Sequence, residues 1–215
     1  MKKIVSLAIV LLALGTGVFA QNCNVDKAQK KEIREAIKEK ASKEAKKSAK
    51  QMEKEGWKPF PGTETLEKQM HNSMLAKYER YNGMPAYIIG QGTATAANLD
   101  AARNVARKRA IANIAENLGT AIASITEASD SNIELTDGEV ETINKTMTSS
   151  QQFFQREIGQ TNDIVQIYRN KDGNKVEVMI TKSYDGKRAQ QAVLKAFEKE
   201  SAELRAKLEK KMKGE

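Results

Sequence analysis

The chain has 215 residues, with 36 Lys and Arg against 28 Asp and Glu, one His, one Cys and 5% aromatic residues, for a formal charge of +8. One cysteine excludes an internal disulfide, and one histidine with no second His or Cys at metal spacing leaves a zinc site nothing to build on. Both charge signs are interspersed and aromatics are too sparse for a base-stacking platform, which argues against a dedicated nucleic-acid binder.

The first residues, Met1-Lys2-Lys3, are followed by an apolar run from Ile4 to Leu14 and then by Val18-Phe19-Ala20. A positive start, a short apolar stretch and small residues at the two recognised positions form a secretory signal peptide, cut between Ala20 and Gln21. The apolar run falls short of the about 20 residues that span a bilayer. Cleavage removes Lys2 and Lys3 and lowers the charge to +6. Cys23 is preceded by Asn22, where a lipobox needs a small residue, so a lipid anchor is not expected, although lipidation or an intermolecular disulfide at Cys23 stays open. The expected location is the periplasm or the periphery of an outer membrane.

Residues 26–55 read as a charged helix with a thin apolar stripe: Ile33, Ile37, Ala41, Ala45, Ala49 and Met52. Alanines bury little area, so this arm is expected to be mobile or to lie on the surface. Trp57-Lys58-Pro59-Phe60-Pro61-Gly62 ends it, with Trp57 and Phe60 able to pin the loop or to meet a partner. A second helix is expected over residues 63–82, stopped by Gly83-Met84-Pro85.

The segment "YIIGQGTATA" from Tyr87 to Ala96 reads as a strand carrying Gly-x-Gly. It raises the question of a dinucleotide site. That fingerprint needs a third small residue three positions after the second glycine, a helix starting inside the motif and an acidic residue after a second strand about 20 residues later. Here Thr95 stands at the third position and the helix starts late, after Asn98 as N-cap. The glycines therefore read as a close approach of backbones. The helix over 99–127 carries one apolar row at Ala101, Val105, Ile111, Ala115, Leu118, Ile122 and Ile125. A second row, Ala102, Ala106 and Ala110, supplies small residues opposite Gly90 and Gly92, with Arg103, Arg107 and Lys108 on the wet side.

Thr136-Asp137-Gly138-Glu139 has the form of a capping box. The helix behind it carries Val140, Ile143, Met147, Phe154 and Ile158. Residues 163–182 alternate around Asp172-Gly173, a hairpin pattern. From Asp185 a last helix is expected with Ala189, Val193, Phe197, Leu204, Leu208 and Met212 on one stripe, its first half packed on the domain and its final turns extending beyond it or meeting a partner helix.

These elements define an α+β fold: a small, mainly antiparallel sheet packed by helices on one face, with long N- and C-terminal helical extensions. The divisions are a signal peptide (1–20), a charged arm (21–56), a linker loop and helix (57–84), an α+β core (85–200) and a charged tail (201–215). No residue is nominated as catalytic, cofactor-binding or metal-ligating. His71, the sole histidine, reads as a helix-surface residue, and the carboxylates lie in solvated helical runs beside lysines.

The run from Tyr87 to Ser124, with Gly90, Gly92, Ala102-Arg103, Ala106, Ala110, Leu118 and Ile122, resembles the LPP-type outer-membrane lipoprotein domain. It is also similar to the N-terminal domain of flagellar assembly protein T. The resemblance covers about half the mature chain. It implies an α+β domain in a bacterial cell envelope and carries over no catalytic residues. The resulting expectation is an exported, non-enzymatic protein that works through contact with an envelope protein or with its own copies. The alternative is a peripheral binder of anionic surfaces (lipid, lipopolysaccharide or nucleic acid) through the arm, which holds eleven Lys and Arg against seven Asp and Glu.

Overall fold

The computed structural model describes residues 27–81, 84–127 and 133–213. The expected cleavage site at Ala20 and Gln21 lies outside the described residues, as does Cys23. In chain order the elements are α1 (Lys27–Lys54), β1 (Lys58–Pro59), α2 (Leu66–Tyr78), β2 (Arg80–Tyr81), β3 (Met84–Pro85), β4 (Tyr87–Ala96) and α3 (Leu99–Glu127). There follow α4 (Asp137–Ser149), α5 (Gln151–Glu157), β5 (Asn162–Lys171), β6 (Lys175–Asp185), α6 (Gly186–Ala196) and α7 (Ala202–Lys213). The fold is α+β, as expected. Its main sheet runs β1-β5-β6-β4 with every neighbour antiparallel, and β2 pairs with β3 in a separate ribbon.

β6 sorts its side chains between two layers, because successive strand residues point to opposite faces. Val178 and Ile180 pack with Ala94 of β4 and with Ala102 and Ala106 of α3. On the opposite face Val165 and Ile167 of β5 pack with Ala45 and Ala49 of α1, Leu66 and Met70 of α2, and Met179 of β6. Helices thus cover both faces, where the sequence pattern placed them on one. The N-terminal arm, expected to be mobile or to lie on the surface, is anchored over its second half: Ala41, Ala45 and Ala49 are all buried. Alanine buries little area, but its small size lets α1 lie close against its neighbours, and close packing compensates.

β5 carries a bulge between Asp163 and Val165. Asp163 opposes Lys182, whereas Val165 opposes Thr181. The extra residue, Ile164, shifts the alternation, so Asp163 faces α3 while Val165 and Ile167 face α1 and α2.

The linker straddles the edge of β5. Lys58 and Pro59 pair with Tyr168 and Ile167, Trp57 belongs to the α1–α2 layer and Phe60 to the α3 layer. Arg169 stacks on Trp57 at 4.5 Å from the ring centroid, and Phe60 meets Tyr168 edge-on at 5.4 Å. Further along this edge, the Phe60 N–H donates to the Gln166 carbonyl at 3.1 Å and the Gln166 N–H to Gln69 Oε1 at 2.7 Å. Gln69 is buried on α2 because it replaces a missing strand partner.

Three helical expectations change in detail. α2 stops at Tyr78, short of residue 82, and the chain turns back so that the Ala86 N–H donates to the Glu79 carbonyl at 3.0 Å. The helix behind the capping box, which forms with both reciprocal bonds at Thr136 and Glu139, divides at Ser150 into α4 and α5. The C-terminal stripe also divides. After Phe197 the chain turns, the Leu204 N–H donates to Ser201 Oγ at 3.1 Å, and α7 folds back. Its Leu204, Leu208 and Met212 join the core of Leu118, Ile122, Ile143 and Phe154. The tail is part of the domain, because its apolar residues complete a core that α3 and α4 alone leave open.

Residues Gly90 and Gly92 lie where β4 meets α3. A Cβ on Gly90 would overlap the Ala110 carbonyl and stand 2.6 Å from Ile114 Cγ1; on Gly92 it would overlap the Ala106 carbonyl and stand 2.5 Å from the Ala110 nitrogen. Backbone, unlike the tip of a side chain, cannot step aside cheaply. Ala102, Ala106 and Ala110 are fully buried, while Ala101 and Val105 of the other row are exposed. The buried face of α3 over its first three turns is therefore the all-alanine row, since larger residues would hold the helix away from the strand. Gly92→Ala is expected to destabilise the domain by about 1–3 kcal/mol, and Gly92→Val by at least as much, measured by chemical denaturation. A wild-type midpoint in both variants would disprove the contact.

Candidate functional site

Three polar or concave features stand out around the sheet. The first is the outer edge of β4, which has β6 on one side only. A stripe of α3 side chains takes the place of the missing strand. Arg109 Nη1 donates to the Thr93 carbonyl at 2.5 Å, the Gln91 N–H donates to Asn113 Oδ1 at 3.0 Å, and Asn117 Nδ2 donates to the Ile89 carbonyl at 2.7 Å. Four-residue spacing aligns Arg109, Asn113 and Asn117 along one line of the helix, and the period of two brings Thr93, Gln91 and Ile89 to meet them. Gly-x-Gly is thus closed on its face by alanines, and the neighbouring edge is held by this polar row. The arrangement serves packing and leaves the glycine backbone no access to a phosphate.

The second feature is an ion cluster between α3 and the sheet. Asp163 lies between Lys182, at 2.5 Å, and Arg107, at 2.7 Å, and Lys182 also donates to Thr161 Oγ1 at 3.0 Å. Arg103, one turn earlier on α3, donates to Gln166 Oε1 at 2.8 Å and covers Phe60 at 5.0 Å from its centroid. Both arginines, expected on the wet side, are half-buried. The long side chains reach over the alanine row to the sheet, where the small residues leave room for them. Burial pushes the Asp163 carboxyl up, but hydrogen bonds and charge from Lys182 and Arg107 together outweigh it and hold the group below the usual carboxylate range. An acid held ionised between two cations is a structural strut and is poorly placed to take or give a proton near neutral pH.

The third feature is an open groove of about 560 Å³ on the sheet face opposite the glycine contact. Met52, Met70, Met74 and Met179 line it together with Ile89 and Val165, while Gln91, Asn113 and Asn117 form one polar side and Lys77 and Arg80 lie at its rim. No periodicity announces this groove in the sequence. Its methionines come from three separate elements, α1, α2 and β6, and only the tertiary packing gathers them.

Trp57 and Phe60 require a correction. Both are buried, at 4% and 6% exposure, so they clamp the chain's own sheet edge and offer no surface to a partner. His71 lies on α2 with Nδ1 at 3.3 Å from Ser42 Oγ. Among the described residues no group of three His, Cys, Asp or Glu is arranged to hold a metal ion, and no helix is long and apolar enough to cross a membrane. Compared with known proteins, the chain matches no family model, no curated protein and no solved structure.

The ion cluster carries a pH signature. Because the folded-state pKa of Asp163 is depressed, its stabilising contribution is present above the unfolded carboxylate value of about 3.9 and is lost as pH falls through the lower folded value. Asp163→Asn should cost about 3 kcal/mol at neutral pH, the lower end for breaking a buried pair, since Lys182 and Arg107 lose their anionic partner. The cost should shrink as pH falls below about 4. Denaturant melts of both proteins from pH 7 to pH 2 check this, and a difference independent of pH would refute the assignment.

Proposed function

We propose that the chain is an exported cell-envelope protein without catalytic activity, acting as a structural or protein–protein interaction module. The run from Tyr87 to Ser124 resembles LPP-type lipoprotein domains and the N-terminal domain of flagellar assembly protein T, which supports this reading. The observation that carries this reading is the filled contact between Gly90 and Gly92 of β4 and the backbone of Ala106 and Ala110 of α3. The one sequence motif resembling a cofactor site is consumed in packing. The ion cluster around Asp163 is likewise engaged internally. What remains for outside contact is helical and groove surface, and the N-terminal pattern ending at Ala20 supports export.

A second reading rests on a specific observation. Lys40, Lys43, Lys46, Lys47 and Lys50 of α1 are all exposed, off the stripe of buried alanines. Such a face suits an anionic surface, and binding through it would fall steeply with salt.

Expression of the full chain in a Gram-negative host, followed by fractionation and N-terminal sequencing, tests the first reading. The expected product begins at Gln21 and appears in the envelope fraction, and crosslinking there joins it to a discrete protein partner or to its own copies. An uncleaved chain confined to the cytoplasm would defeat the proposal. Partitioning onto anionic liposomes at low salt, with no protein crosslink, would transfer support to the second reading.

A further inference from the structure

We infer that the methionine-lined groove binds a long-chain fatty acid, with the hydrocarbon chain against the methionines and the carboxylate at Lys77 and Arg80. This goes beyond the envelope reading and does not depend on where the chain resides.

Size, lining and charge point to the same ligand. A volume of about 560 Å³ falls within the range of about 300–1,000 Å³ typical of small-molecule sites. Met52, Met70, Met74 and Met179 provide unbranched, polarisable walls that adapt to a flexible alkyl chain. Val165 and Met179 belong to the sheet, so the floor is rigid while the walls adjust. Lys77 and Arg80 are the charged side chains that line the groove among the described residues, and no acidic side chain lines it. Both are exposed. Arg80 Nη1 donates to the carbonyls of Lys77, at 2.8 Å, and of Glu79, at 3.3 Å, which holds the guanidinium beside the Lys77 backbone. An apolar trough with two cations at its rim and no anion is complementary to an amphiphile with one negative head.

A peptide strand is the rival occupant, and the edge of β4 argues against it. The Gln91 N–H and the Ile89 carbonyl, which a pairing strand would need, are already bonded to Asn113 and Asn117. A peptide would have to break those bonds to dock, whereas a fatty acid needs no backbone partner.

The test is titration of the full mature chain with palmitate below its micellar concentration, by calorimetry and by displacement of a fluorescent fatty acid. Saturable one-to-one binding is expected, with hexadecyltrimethylammonium binding at least about tenfold more weakly because its head charge is reversed. Lys77→Glu combined with Arg80→Glu should weaken palmitate by about tenfold or more, while Lys108→Glu on α3 leaves it unchanged. Both changed rim residues are exposed, so the variant keeps its fold, which its thermal melt verifies. Met74→Asp should also abolish binding. The inference is overturned by no saturable binding, by equal affinity for the cationic amphiphile, by insensitivity to the rim variant or by an equal loss in Lys108→Glu. Binding of lysophosphatidylglycerol without binding of palmitate would overturn it too.

Discussion

A helix can rest on a strand at backbone distance only where neither brings bulk to the contact. That constraint sets the β4–α3 pair, and the remaining structure is arranged around it. Two glycines on the strand face a row of three buried alanines on the helix, so the helix axis comes low over the sheet. At this height Arg103 and Arg107, rooted on the flank of the helix, reach β5 and bond to Gln166 and Asp163. The same approach brings Arg109, Asn113 and Asn117 within hydrogen-bond range of the β4 edge. A bulkier contact would lift the helix and break both sets of bonds at once.

The open sides of the two long strands β4 and β5 are managed by different means. β4 is served by side chains from the helix that follows it in sequence, whereas β5 is served by a two-residue strand, the Phe60 N–H and the buried Gln69. Trp57 and Phe60 hold that cover in place from opposite faces. Unpaired strand edges invite association with other chains, and here both carry internal partners along part of their length.

Much of this was legible in the residues. The strand with Gly-x-Gly, the helix to Glu127, the capping box at Thr136 and the hairpin around Asp172 and Gly173 all follow local rules of period, cap and turn, and they form. The hairpin turn holds Gly173 and Asn174 at positive φ, as a tight turn requires. What local rules could not supply was choice between partners. The row Ala102, Ala106 and Ala110 is legible as the partner of Gly90 and Gly92, but only the strand opposite decides that Ala101 and Val105, at the start of the other row, are left exposed. The anchoring of the N-terminal arm and the docking of the C-terminal tail are hidden for the same reason. A thin stripe of Ala41, Ala45 and Ala49, or of Leu204, Leu208 and Met212, reads as weak until a matching surface exists elsewhere in the chain. The ion cluster and the groove join residues far apart in sequence, and polar spacing on α3 at Arg109, Asn113 and Asn117 was the one local hint of the covered edge.

The bulge at Ile164 gives β5 two reading frames. Before it, Asp163 belongs with the charged side chains under α3; after it, Val165 and Ile167 belong with the apolar layer under α1 and α2. Loss of Ile164 itself would leave Asp163 beside Val165, opposite Lys182 and Thr181, which is the alternation of a regular strand, so both side chains would keep their layers. A one-residue insertion or deletion elsewhere in β5 would instead turn every side chain on one side of the change onto the wrong layer. Tolerance of a changed length in this strand is therefore confined to the bulge.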